Sequence, residues 1–137
     1  TLRRSSAASD VYKRQRSLRV ATSFLASNLD ESSVFQIRLA AFSHAPQDIA
    51  RIWNDREVLF DQVLQHVGRN HITKPGQDSE WHKLGASIEI PPGTRSVVIS
   101  LGAGMVDSNA DKSNHYLDDI RVSLVDSPLA IYADNAQ

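Results

Sequence analysis

Four oxygen-bearing side chains fall at spacings that a hard cation could use. Asp107, Asn109 and Asp111 take alternate positions, and Asp118 falls at the twelfth place counted from Asp107, the order of a calcium-binding loop. Lys112 stands where such a loop needs glycine, and Asp118 reaches less far than the usual bidentate glutamate. A solvated turn is therefore the plainer account of the same residues. Oxygen ligands of this kind would select calcium. Five histidines, His44, His66, His71, His82 and His115, raise zinc as an alternative. None forms an i, i+4 pair on a credible helix, and with no cysteine in the chain nothing completes a shell, so they read as surface or loop histidines. No Gly-x-Ser-x-Gly elbow occurs. Carboxylates for glycoside cleavage could come from Glu57 with Asp61 or from Glu89 with Asp119. The cluster Asp55, Glu57 and Asp61 reads more simply as a solvated face, and no catalysis is assigned.

Flat rings stack on the apolar C–H faces of sugars while neighbouring amides, carboxylates and guanidinium groups bond the hydroxyls. After residue 15, Trp53, Trp81, Tyr116 and Tyr132 are the large aromatic residues with polar handles. Trp53, with Asn54 beside it in a polar stretch, is expected to be the most exposed. Trp81 and Tyr116 are expected at the core or rim.

The elements that must carry these residues are short strands. Leu18, Val20, Thr22 and Phe24 alternate with Arg19, Ala21 and Ser23, and a second alternating run from Val34 ends near Ser43. The segment 49–67 fits both helical and strand spacing. Asn54-Asp55 inside it is a plausible turn, so a loop with one helical turn is expected to about Arg56, then a strand over 58–67. A polar loop follows from Asn70. Ile88 and Ile90 lead into Pro91-Pro92-Gly93-Thr94, a turn, and Val97, Ile99 and Leu101 alternate after it. A second polar loop precedes Tyr116, Asp118, Ile120, Val122 and Leu124, again alternating. Shared parity with Ile120, Val122 and Leu124 predicts Asp118 inward and Asp119 outward. Several short strands and no long helix predict an all-β antiparallel sandwich.

Residues 5–15, SSAASDVYKRQ, resemble a translated sequencing-adapter arm, and Thr1 to Arg4 fit its upstream frame. Residues 1–15 are accordingly set aside as an artefact, with the natural start expected to be missing. Residues 16–137 remain as one module, long enough for a single core. Fifteen basic against sixteen acidic residues becomes eleven against fifteen, and the net charge moves from −1 to −4. A mildly acidic module is not expected to bind nucleic acid. No apolar run approaches the length needed to span a bilayer, so membrane insertion is not expected either. Without cysteines there is neither a disulfide framework nor a thiolate site.

Trp81, the Ile90-Pro91-Pro92-Gly93-Thr94 turn, the strand of Val97, Ile99 and Leu101, a polar loop and then His115-Tyr116-Leu117-Asp118-Asp119-Ile120-Arg121-Val122 resemble the C-terminal half of jelly-roll modules of the galactose-binding-like, carbohydrate-binding class. The resemblance covers 81–124 by motif and 18–43 by general pattern. It implies a jelly-roll β-sandwich, N-terminally truncated, acting as a noncatalytic carbohydrate-binding or accessory module. It also implies an extracellular or cell-surface parent protein with further domains, and a polysaccharide or glycan as partner. In that class the first aspartate of the final motif helps to hold a structural calcium ion with an acid near the domain's start, which here matches Asp118. The competing readings are a structural or adhesive spacer without a small ligand, and a β-domain fragment of a hydrolase.

Overall fold

Strands form where the two-residue alternation is strictest. The computed structural model describes residues 14–26, 30–75, 80–107 and 114–128. Along the chain run β1 (Arg14–Ala26), β2 (Ser33–Phe42), α1 (Pro46–Trp53), α2 (Arg56–Gln62), β3 (Gln65–Ile72), β4 (His82–Glu89), β5 (Ser96–Met105) and β6 (His115–Pro128). They make two three-stranded antiparallel sheets, ordered β4-β1-β6 and β3-β2-β5. β1 begins two residues ahead of the adapter boundary drawn from sequence, since Arg14 and Gln15 pair with Pro128 and Ser127. Residues 1–13 lie outside the described residues.

The main core lies between the sheets. Val20 and Phe24 of β1 and Leu84, Ala86 and Ile88 of β4 pack against Phe35, Ile37 and Leu39 of β2. Phe24 and Phe35 meet across the interior with ring centroids 4.5 Å apart. Removing this much apolar surface from water is the dominant favourable term in folding. At the far end of β2, Thr73 closes the sheet: its Oγ1 accepts from the Ser33 amide at 2.9 Å, and its own amide donates to the Ser33 carbonyl.

Two short helices replace the loop and strand expected over 49–67. Pro46 opens α1 at a position where its missing N–H costs nothing. Asp55 caps α2, accepting from the amides of Glu57 and Val58 at 3.1 and 3.3 Å. Ile49, Ile52 and Leu59 then sink against Ala40 and Phe42 on the outer face of β2, a second core of its own. That burial decides between the two periodicities the sequence allowed. β3 consequently starts at Gln65 and ends at Ile72, three residues into the stretch 70–80 expected to be a polar loop. The 91–94 turn forms as expected, with Gly93 at φ 87° and the Thr94 hydroxyl donating to the Pro91 carbonyl at 2.7 Å.

β6 departs from the sequence reading twice. Ala21 faces Arg121 and Ser23 faces Asp118, so Thr22 alone stands opposite Asp119 and Ile120 in a β-bulge. Asp119 takes φ 53° there. The extra residue switches parity, and Asp118 points to the outer face beside Ser23 rather than inward. Ile120 closes the bulge, and beyond it Val122 and Leu124 do belong to the inner face, because Val122 pairs with Val20 and Leu124 with Leu18. Ile120, Val122 and Leu124 are nevertheless 52%, 51% and 60% exposed. β4 packs over β3 and β2, whereas β5 and β6 make no comparable approach, which leaves that flank of the sandwich open.

Candidate functional site

Register partners in an antiparallel pair share a face of the sheet. Val20, Thr22, Phe24 and Ala26 are buried, so Ala21, Ser23 and Leu25 present the outer face of the β4-β1-β6 sheet. Cross-strand rows follow from the pairing. Lys83, Ser23 and Asp118 form one row, and Gly85, Ala21 and Arg121 the next. Ser87, Arg19 and Ser123 form a third. On the other side of the Lys83 row, Leu25 pairs with Tyr116. Trp81 immediately precedes β4, and continuing the register by one residue carries it opposite Leu25. Two aromatic residues, 49% and 46% exposed, thus flank Leu25 at one end of this face.

The bulge shapes the ground beside them. The Asp118 carbonyl accepts from the buried Thr22 hydroxyl at 3.0 Å, which pins the irregular turn of β6 to β1. Arg121 Nε donates to Asp119 Oδ1 at 2.9 Å, and this pairing raises the Arg121 pKa above its ordinary value. Asp119, Arg121, Lys83 and Ser23 line a shallow hollow of about 200 Å³ over a floor of Ala21 and Thr22. Small side chains at the floor, cations and carboxylates at the walls, and aromatic rings at one end make a surface that can bond hydroxyl groups and stack an apolar ring face.

Trp53 and Asn54 lie elsewhere. Trp53 is the last residue of α1, half-buried on the second core, over the other sheet. The Arg38 guanidinium lies over its ring at 5.8 Å, a cation–π contact. Asn54 is spent on the end of α1, its amide donating to the Ala50 carbonyl at 3.1 Å. Around Arg38 the outer face of the β3-β2-β5 sheet carries Gln36, bonded to Asn70 at 2.9 Å, and His66, whose pKa is lowered by burial and by the Arg38 charge. A larger hollow of about 740 Å³ lies at the opposite end of β1 from Trp81, between Leu64, Glu89 and the 91–94 turn, with no aromatic ring in its lining. Gln15 donates a hydrogen bond to Glu89 at its edge.

Asp107 sits just past β5 and Asp118 on the outer face of β6, while Asn109 and Asp111 lie outside the described residues, as does Tyr132. Among the described residues no three His, Asp or Glu side chains come together to hold a metal ion. Asp118 is turned outward, beside Ser23. Glu57 and Asp61 are exposed on α2, and Asp119 is engaged by Arg121.

Sequence reasoning misplaced two residues of chemical interest. His71 and His82, read as surface or loop histidines, are half-buried on β3 and β4. The signal was the parity of His82 with Leu84, Ala86 and Ile88; His71 gave none, because its strand was expected several residues earlier. Compared with known protein families, with curated proteins and with solved structures, the chain matches none.

Proposed function

We propose that this chain is a noncatalytic β-sandwich module that binds a glycan on the outer face of the β4-β1-β6 sheet, within a larger exported or cell-surface protein. One observation carries the reading: exposed Tyr116 pairs with Leu25, exposed Trp81 immediately precedes β4 at the same end of the sheet, and the next row supplies Lys83, Ser23 and Asp118. Aromatic rings give stacking area at low entropic cost, and fixed polar groups one row away orient hydroxyls. The two-sheet antiparallel frame agrees with the jelly-roll architecture that the resemblance of 81–124 implies, and a sheet face is a rigid support for such a surface.

A glycan array with the full chain, followed by calorimetry on the retained sugars, tests this. Trp81→Ala and Tyr116→Ala should each weaken binding at least tenfold with an unchanged melting temperature, whereas Trp53→Ala should leave affinity intact. Absence of any retained glycan would overturn the reading in favour of a spacer domain, and so would binding insensitive to both substitutions.

A further inference from the structure

Two histidines from different sheets meet inside the sandwich. His71 is the register partner of Phe35, and His82 that of Phe24, so both imidazoles share the inner faces on which the two phenylalanines meet. Their ring centroids are 5.0 Å apart with planes tilted by 38°. That separation is wider than the 4.5 Å of the neighbouring phenylalanine pair and suits a shared ion. A tetrahedral zinc with Zn–N bonds of about 2.0–2.1 Å, each ring centre roughly 1 Å beyond its nitrogen, holds two imidazole centroids about 5 Å apart.

A second observation points the same way. His71 Nε2 is buried and has no hydrogen-bond partner. An interior nitrogen left unpaired is costly, and a bound ion is one of the few things that resolves it.

We propose that His71 and His82 are two protein ligands of one divalent transition-metal ion, zinc foremost, which clips β3 to β4 across the sandwich. Imidazole nitrogens select zinc, copper or nickel over calcium, so this site is separate in chemistry from the carboxylates of the 107–118 segment. Two imidazoles leave further coordination positions, which water or another oxygen or nitrogen ligand can take. An ion that binds the folded chain and spans two sheets raises its melting temperature.

Zinc chloride titrated into the chelator-treated full chain by calorimetry should give one site per chain. His71→Asn and His82→Asn should each weaken it at least tenfold, and His66→Ala, on the same strand as His71 but on the outer face of its sheet, should not. The melting temperature of the parent chain should rise with zinc and return with chelator, and this response should vanish in both variants, a readout that survives if either variant is less stable. Absence of zinc heat would overturn the proposal. Equal affinity in the parent chain and both Asn variants would do the same, by showing adventitious binding at other histidines.

Discussion

Ser23 of β1 stands opposite Asp118 of β6, although Ala21, two residues earlier, stands opposite Arg121, three residues later. The mismatch of one is the bulge, and Asp119 absorbs it at φ 53°. Left-handed backbone costs most residues roughly 1–2 kcal/mol, while glycine adopts it freely and Asn or Asp tolerate it. Asp119→Gly and Asp119→Asn should therefore keep or raise stability in urea unfolding, and Asp119→Val should lose about 1–2 kcal/mol. Equal stability of the Val and Asn variants would count against a left-handed residue at this point.

Burial separates β1 and β2 from β6 sharply enough to be measured. Phe35 is fully buried against Phe24, and Phe35→Ala should cost about 3–5 kcal/mol. Leu124 has the same apolar character at an inner-face position but is largely open, and Leu124→Ala should cost no more than about 1 kcal/mol. Comparable losses for the two would mean that the open flank is covered in solution.

Acid should weaken the fold through its histidines. His71 and His66 are both held below the ordinary value, His71 by burial and His82, His66 by burial and Arg38. A histidine with a lowered folded pKa binds its proton more readily when unfolded, so stability rises with pH across the window. The contribution is intact above the unfolded value of about 6.5 and is lost as pH falls from there through the lower folded values. Melting temperatures in chelator at pH 7.5, 6.5 and 5.5 should decline, and His71→Asn should flatten part of the slope. A slope unchanged by that substitution would remove His71 from the account.

The α2 cap offers a local test. Asp55→Ala removes the acceptor for the amides of Glu57 and Val58 and should cost about 1 kcal/mol, with Asp55→Asn or Asp55→Ser recovering most of it. Full loss in the Asn and Ser variants would place the importance of Asp55 in its charge instead.

Much of the frame could be read from residue order alone. Val20, Thr22 and Phe24, then Phe35, Ile37 and Leu39, alternate because a pleated strand turns every second side chain to the same face, and all six are buried. The 91–94 turn was equally legible, since proline and glycine restrict or free the backbone locally. The segment 49–67 was not legible. Its periodicity served two structures, and only the outer face of β2, with Ala40 and Phe42 waiting to be covered, selected helices.

The candidate surface divides in the same way. Sequence by itself determined that Trp81, Tyr116 and Asp118 belong to strands or their margins, that the module is antiparallel β, and that no cysteine chemistry is available. Tertiary structure alone decided that Tyr116 pairs with Leu25 at the end of the sheet where Trp81 enters β4 while Trp53 lies under Arg38, that Asp118 turns outward, and that His71 meets His82. Alternation is a property of a few neighbouring residues, whereas bulge position, sheet closure and cross-sheet encounters depend on register between strands far apart in the chain, which no local pattern encodes.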